Sequence, residues 1–277
     1  MTVPRMAMIS FLLISVPSGA QVPHPGSARA APVWSGTSGG YHWRWTTSDL
    51  SAVRPGVPSS FSAAKYERRT NSLLKDEKED PVDSYVECAV RPLSIVGSIA
   101  SYERSYYWEG GAHPSGSIDY VSIDAARPTK RVTLTELFPD AAVLHALLND
   151  RLVRNTLARN DVTGKPRTTK QLVNLLKGRS FGGDDNSQFG FEEDMLARFA
   201  FHHVDGDQVA VRLNVSWSTE IFRFTTTQIG FLLPIPARLR LPLQRAANRR
   251  EGFLMIDASR LAGKTSTVLF TFGKRPK

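Results

Sequence analysis

Apolar and polar residues alternate with a period of two along much of the first and last thirds of the chain. In residues 209–215 every second residue is aliphatic, and in residues 41–46 aromatic side chains alternate with polar ones. Alternation of this kind is typical of a strand that buries one face. Further strands are predicted at residues 82–90, 93–108, 118–123, 196–203, 221–225, 229–233, 253–256 and 268–272.

Glycines mark several of the turns between these strands. Asp205 and Gly206 predict a tight hairpin, whereas Gly97 interrupts the alternation of its segment and predicts a bulge or bend. Gly110 and Gly111 lack a Cβ where the chain turns in the loop 109–117. Loops of that length often carry function.

The middle third has apolar residues at helical spacing instead. Residues 140–160 are predicted to form the longest helix, with Asp140 as its N-cap. Thr133 and Glu136 have the spacing of a capping box, which predicts a short helix just before it.

Three further segments have helical features. Thr168 with Gln171 forms a second candidate capping box, and the short helix after it is expected to end at Gly178. Residues 60–79 combine spaced apolar positions with a charged end. Residues 237–249 predict either a short basic helix or an edge strand, because leucines alternate there with arginines.

Strands therefore dominate both ends of the sequence, and helices dominate the middle. This segregation favours the α+β class, with a mostly antiparallel sheet and helices packed on one side, over alternating βαβ units. The domain is expected to span residues 41–277, with a division into two packed subdomains near residue 130 as an alternative.

One stretch carries a more specific pattern. Residues 106–113 read Tyr-Tyr-Trp-Glu-Gly-Gly-Ala-His, an alternating strand then ends at Asp124, and residues 133–138 read Thr-Leu-Thr-Glu-Leu-Phe. This order resembles the extracytoplasmic domain of RsiV-type anti-sigma factors and the non-catalytic N-terminal part of PdaC-type peptidoglycan deacetylases. The resemblance extends from about Tyr41 to Leu243, and outside the central stretch it depends on the order of elements.

The resemblance implies an antiparallel sheet with helices on one side and a role in binding. The anti-sigma members bind lysozyme, and the deacetylase activity of the other group lies in a separate domain. The candidate binding loop implied by the motif consists of Gly110, Gly111, Ala112 and His113. Because a cytoplasmic segment, a transmembrane helix and a deacetylase domain are not seen in this sequence, we expect neither sigma-factor control nor deacetylation.

The start of the chain has the pattern of a secretory signal peptide, predicted over residues 1–20. A single arginine precedes an apolar run at residues 6–16, which is shorter than the roughly 20 residues that span a bilayer. Small residues follow at Ser18, Gly19 and Ala20. Residues 21–40 are predicted to be a flexible linker. We expect a periplasmic or secreted protein with no transmembrane helix in its mature chain.

The formal net charge of +9 at pH 7 narrows the choice of partners. In an exported protein it suits anionic envelope surfaces such as lipopolysaccharide or phospholipid, and it disfavours a basic lysozyme unless a local acidic patch attracts it. The export signal and the lack of a recognisable nucleic-acid module argue against nucleic acid. The single cysteine, Cys88, excludes an intramolecular disulfide and is expected to be a buried apolar thiol between Val86 and Val90.

Two clusters of charge are candidate partner sites, and each is otherwise an ordinary solvated face. The acidic cluster is the best local site for a basic protein and contains Asp184, Asp185, Glu192 and Glu193. The basic cluster suits an anionic surface, since arginine pairs well with phosphate and carboxylate. It contains Arg238, Arg240, Arg245 and Arg249.

No set of residues has a convincing catalytic or metal-binding pattern. His113 with a carboxylate from Glu109 or Asp119 is the candidate for acid–base chemistry, but no nucleophile elbow accompanies it. His202 and His203 are neighbours on a predicted strand and should point to opposite faces, so we do not expect them to share a metal ion. No cofactor is expected.

The sequence therefore favours an exported, non-enzymatic binding module of the cell envelope. Its expected ligand is either a lysozyme-type protein or an anionic envelope polymer. The alternative is a hydrolase of envelope glycan that uses His113 and a nearby carboxylate. An assembly factor of the envelope fits the same pattern as the first interpretation, and the pattern does not indicate an oligomeric state.

Overall fold

The fold combines antiparallel sheets with a group of helices. The computed structural model describes residues 32–58, 60–70, 85–109, 115–181, 189–218, 227–262 and 268–272. Every strand pairing within these ranges is antiparallel, so the predicted α+β class is confirmed. None of the helices in these ranges is long and apolar enough to cross a membrane. The predicted signal peptide lies outside them.

A first sheet with strand order β1-β2-β3-β4 forms near the N-terminus. Its strands are β1 (Trp34–Ser38), β2 (Tyr41–Trp45), β3 (Leu50–Val53) and β4 (Ser60–Ser62). The aromatic residues of β2 are buried and His42 is exposed, as the alternation predicts. β1 lies within the segment predicted to be a linker. Helix α1 (Ala63–Thr70) begins after β4 rather than at residue 60.

The central sheet has the strand order β13-β5-β6-β7. Its strands are β5 (Tyr85–Val96), β6 (Ile99–Glu109), β7 (Ser115–Asp124) and β13 (Val268–Phe272). The bend predicted near Gly97 is a tight turn between β5 and β6, in which this glycine has a φ of 61°, so the single strand predicted over residues 93–108 is wrong. The shift in register lies earlier, between Pro92 and Ser94.

A third sheet has the strand order β12-β10-β9, and a short ribbon lies beside it. The sheet consists of β9 (Phe199–Asp205), β10 (Gln208–Asn214) and β12 (Gln228–Pro234), and the ribbon consists of β8 (Phe189–Phe191) and β11 (Ser216–Ser218). The hairpin predicted at Asp205 and Gly206 is confirmed, with Gly206 at a φ of 57°.

In the described ranges, six further α-helices follow the first. They are α2 (Leu134–Leu137), α3 (Asp140–Asn149), α4 (Arg151–Arg159), α5 (Thr169–Leu176), α6 (Ala237–Ala247) and α7 (Met255–Ala262). α7 begins within a segment predicted to be a strand. The segment 237–249 forms the basic helix α6, which excludes the edge-strand alternative.

The long helix predicted over residues 140–160 is broken at Asp150. The Asp150 carboxylate accepts hydrogen bonds from the backbone N–H groups of Leu152 and Val153, at 2.8 and 3.1 Å, and so caps α4. The predicted N-cap at Asp140 is wrong, because Pro139 occupies that position. Both carboxylate oxygens of Asp140 instead accept from the backbone N–H of Thr169 at 3.2 Å, which ties α3 to α5.

The two candidate capping boxes differ in outcome. Thr168 Oγ1 accepts a hydrogen bond from the Gln171 backbone N–H at 3.2 Å and caps α5, as predicted. Thr133 makes no side-chain cap of α2, and its hydroxyl instead contacts the carboxylate of Glu136 at 3.5 Å. The capping box at Thr133 is therefore wrong, and α2 is a single turn.

The N-cap of α5, Thr168, gives a first testable prediction. Thr168→Ala is expected to lower the free energy of unfolding by about 1 kcal/mol, because an N-terminal N–H of α5 loses its acceptor. Thr133→Ala is the matched control and should cost less than about 0.5 kcal/mol, since it removes no cap. Urea denaturation measures both values. Equal losses would contradict the assignment of the cap to Thr168.

Two large hydrophobic clusters form most of the core of the described residues, and a small third one contains Leu93, Tyr120 and Ala200. The first lies between the first sheet, α1 and one face of the central sheet, and includes Trp43, Trp45, Phe61, Tyr102 and Phe253. The second lies between the third sheet and α2 to α6, and includes Leu147, Leu172, Phe199, Val211 and Leu243. The clusters do not divide the sequence at residue 130, because the C-terminal segment returns to the first of them.

The third sheet meets the central sheet through β9. Ser122 Oγ of β7 donates to the carbonyl of Phe199 at 2.6 Å, and the backbone N–H of Phe201 donates to Ser94 Oγ at 3.2 Å. These bonds satisfy backbone groups on the edge of β9 that faces away from β10. The edge is therefore covered by the second face of the central sheet.

Candidate functional site

The candidate binding loop joins β6 and β7. Its residues Gly110, Gly111, Ala112 and His113 lie outside the described residues, so neither their binding role nor the acid–base role of His113 is tested. The strands that carry the loop are described up to Glu109 and from Ser115.

Asp119, one of the two carboxylates suggested for catalysis, is held by arginines. It lies on β7 opposite Arg104 of β6 and is 5% exposed. Arg104 and Arg131 lie 3.0 and 3.3 Å from its Oδ2, and Arg198 lies 3.2 Å from its Oδ1. A buried carboxylate held by three guanidinium groups in this way is poorly accessible to a substrate.

A second buried carboxylate extends this cluster. Glu67 of α1 is fully buried, and its Oε1 accepts a hydrogen bond from the Tyr102 hydroxyl at 2.6 Å. Its Oε2 accepts from Arg104 at 2.9 Å and from the Tyr106 hydroxyl. Burial, followed by the Glu67 charge, raises the pKa values of Tyr102 and Tyr106 well above the ordinary range. Both tyrosines therefore stay protonated and act as donors.

Cys88 lies on the strand next to these tyrosines. It is buried and pairs across the sheet with Tyr106, so the predicted buried thiol is confirmed. Burial, with a smaller contribution from Glu67, raises the pKa of the thiol far above its usual value. A thiol that stays protonated is a poor nucleophile and metal ligand.

These buried charges connect separate parts of the fold. We call Glu67, Arg104, Asp119, Arg131 and Arg198 the ion cluster. It joins α1, the central sheet and the segment before β9, and Glu67 has no contact with solvent. The arrangement therefore fits a structural cross-link better than a reaction centre. The sequence analysis did not predict the ion cluster. A signal was present, because Tyr102, Arg104 and Tyr106 carry polar groups on one strand face where aliphatic residues are usual.

The two described carboxylates of the acidic cluster, Glu192 and Glu193, both lie within ion-pair distance of a cation. Arg198 approaches Glu192 at 3.6 Å, and Lys177 approaches Glu193 at 3.6 Å. Burial raises the pKa of Glu192, and Arg198 opposes that shift. Asp184 and Asp185 lie outside the described residues. The described half of the cluster therefore offers Glu193, with a side chain that is 75% exposed, as its open carboxylate.

The arginines of α6, and Arg249 just after it, lie in a more open setting. Arg238, Arg240, Arg245 and Arg249 are all exposed. Arg245 pairs with Glu251 at 2.6 Å, and Arg249 pairs with Asp257, which raises the pKa of that guanidinium. Leu241 lies among them and is 54% exposed. The predicted basic cluster thus has the geometry of an accessible helix face.

A turn after β7 adds further cations beside α6. Arg238 donates to the backbone carbonyl of Glu136, and the carboxylate of Glu136 contacts Arg127 at 3.2 Å and Lys130 at 3.6 Å. We define the basic face as the surface formed by Arg127, Lys130, Arg238, Arg240, Arg245 and Arg249. Its cations outnumber the carboxylates that contact them, so it carries an excess of positive charge.

The basic face lies at the end of the central sheet opposite to Glu109 and Ser115, the described residues that flank the candidate binding loop. A Cβ on Gly97, in the turn before β6, would meet Pro242 of α6 at 3.6 Å. β6 then runs for 11 residues to the loop, a length of about 35 Å at roughly 3.3 Å per residue.

The expectation that His202 and His203 point to opposite faces is wrong. A bulge in β9 shifts the register opposite Ala210, and the two Nδ1 atoms lie 2.8 Å apart. Burial, followed by the charges of Arg212 and His203, lowers the pKa of His202. In the described ranges, no group of three or more histidine, cysteine, aspartate or glutamate side chains has an arrangement that could hold a metal ion.

No family model, curated protein or solved structure matches this chain. The resemblance of the central stretch to RsiV-type and PdaC-type domains therefore stays a prediction. The surfaces described above are the basis on which a function is assigned.

Proposed function

We propose that the protein is an exported binding module of the cell envelope that holds an anionic polymer, such as lipopolysaccharide, on its basic face. The observation that carries this proposal is the cluster of exposed arginines on α6 beside Arg127 and Lys130. Guanidinium groups bind phosphate and carboxylate through paired hydrogen bonds, so a row of them suits a polyanion.

The distribution of carboxylates supports the polymer over a basic protein as the ligand. Glu192 is half-buried and engaged by Arg198, whereas Arg240 has no carboxylate within ion-pair distance in the described part of the chain. A positive surface attracts polyanions and repels basic proteins such as many lysozymes. The exposed Leu241 provides apolar contact area in the middle of the face.

The sequence supports the compartment in this proposal. The pattern of residues 1–20 predicts export, and the net charge of +9 suits a surface rich in phosphate. A periplasmic or secreted location brings the basic face to such polymers. The proposal requires no cofactor and no catalytic residue.

Neutralising two arginines tests the proposal. Arg238→Gln with Arg240→Gln is expected to weaken binding of the chain from Gln21 to immobilised lipopolysaccharide by about 30-fold. That factor corresponds to about 1 kcal/mol for each charge near an anionic surface. Glutamine is a good helix former, so α6 should persist. Surface plasmon resonance at several salt concentrations measures the affinity and its dependence on salt. The double variant should show a weaker salt dependence, because fewer charges take part in binding.

A matched double variant separates the site from the overall charge. Arg154→Gln with Lys170→Gln removes the same charge from exposed positions on α4 and α5, and it should change the affinity less than about threefold. If both double variants weaken binding equally, net charge rather than the basic face explains it. If the unmodified chain does not bind the polymer saturably at low salt, the proposal is wrong.

A further inference from the structure

A cleft of about 440 Å³ lies between α3 and β12. This volume is within the range of ligand sites, at roughly 300–1,000 Å³. β12 is the outer strand of the third sheet and pairs with β10 alone in the described part of the chain. Its second edge therefore presents backbone N–H and C=O groups beside the cleft.

The walls of the cleft leave room for another backbone. On the helix side they include Ala142 and Ala146, which are one turn apart on α3. On the strand side they include Phe231 and Leu232, and the side chain of Leu232 is 40% exposed. Small side chains opposite an open strand edge, with an apolar surface beside them, suit an extended chain that alternates its side chains between two faces.

The charge at the end of the cleft favours an acidic occupant. Arg151 and Asp150 both line it. Two backbone N–H groups at the start of α4 already bind the Asp150 carboxylate. Arg151 is exposed and makes no salt bridge among the described residues. The cationic group that remains available is thus Arg151, and the nearby polar pair of His145 and Asn149 offers hydrogen bonds.

We propose that the cleft binds an extended acidic peptide, which adds as a strand to the edge of β12 and places a carboxylate on Arg151. A peptide fits better than a compact anion, because the strand edge supplies backbone partners in a row. None of the residues of the basic face lines the cleft. The proposal therefore holds or fails independently of polymer binding.

Selection from a peptide library tests this proposal. A phage-displayed library of random octapeptides with free C-termini is first selected for binding to the chain from Gln21. Phage that also bind the Ala146→Trp variant, in which an indole fills the cleft, are then removed. We expect enriched peptides to share an acidic residue and to bind, as fluorescein-labelled synthetic peptides, with saturable anisotropy. Hydrogen–deuterium exchange should then show protection of residues 229–233.

Two variants decide between this site and other surfaces. Arg151→Glu should lower the affinity for the enriched peptide by about tenfold. It should leave the fold intact, because glutamate is favourable in the first turn of α4. Arg240→Gln should have no effect on peptide binding. Failure to enrich peptides that need the open cleft overturns the proposal, and so does an affinity that follows Arg240 rather than Arg151.

Discussion

Glu67→Gln is expected to lower the free energy of unfolding by about 3–5 kcal/mol, because it removes one of the two carboxylates that compensate the buried Arg104 and leaves only Asp119. The carboxylate accepts from Tyr102, Tyr106 and Arg104 in a site without solvent. An amide of the same size turns one of these acceptors into a donor that faces other donors. Guanidinium denaturation followed by circular dichroism measures the loss.

An ion pair on the opposite face of the same strand provides the control. Arg91 and Glu103 contact each other at 2.7 Å, but the Arg91 side chain is 43% exposed. Glu103→Gln should therefore cost less than about 1 kcal/mol. In the double variant Glu67→Gln with Arg104→Met, the loss should be smaller than the sum of the single losses, because the two groups interact. A Glu67→Gln protein as stable as Glu103→Gln would refute the structural role of the ion cluster.

Gly252→Ala is expected to lower the free energy of unfolding by about 3 kcal/mol, of which about 1 arises from the backbone conformation and the remainder from a steric clash. Gly252 has a φ of 77°, and a Cβ there would lie 2.1 Å from the carbonyl oxygen of Ile95. The neighbouring Phe253 exchanges two backbone hydrogen bonds with Ile95, at 2.8 and 3.0 Å. Because the Cβ is fixed directly to the backbone and the oxygen that it meets is a backbone atom, relief of the clash requires that the contact between Phe253 and Ile95 opens.

Gly40 offers a control with the same backbone conformation. Its φ is 78°, and nothing lies within 4 Å of a Cβ built there. Gly40→Ala should therefore cost about 1 kcal/mol, the conformational part alone. The difference between the two variants in urea denaturation isolates the clash. Similar values for both would mean that Gly252 does not lie close to β5 in solution.

Local patterns predicted the strands better than they predicted the helix boundaries. The clean alternation of β2 and β10, and the Asp205–Gly206 turn, depend on short-range constraints that the sequence displays directly. The break at Asp150 was missed because the apolar spacing continues through it, and an aspartate inside a helical pattern resembles an exposed residue. Its capping role depends on a change of chain direction that the spacing does not encode.

The sequence did not predict the buried polar contacts, for a different reason. Glu67 and Arg104 are separated by a long stretch of sequence, and the hydrogen bonds between them follow from how α1 packs on β6. The bulge that brings His202 and His203 together has no local signal such as glycine. By contrast, the number of arginines on the short segment of α6 was enough to predict that they are exposed. The sequence did not predict that Arg127 and Lys130 lie beside them, because their position depends on the packing of distant segments.

The return of the C-terminal segment to the first hydrophobic cluster has a consequence for the order of folding during synthesis. Phe253 belongs to the same cluster as Trp43 and Trp45, and β13 pairs with β5. During synthesis, the N-terminal half therefore leaves the ribosome before the residues that complete its core have been made. Domains usually fold from the N-terminus onward, and here that order cannot complete the core. The first hydrophobic cluster is therefore complete only after Phe253 has left the ribosome, and β5 gains its pairing with β13 later still.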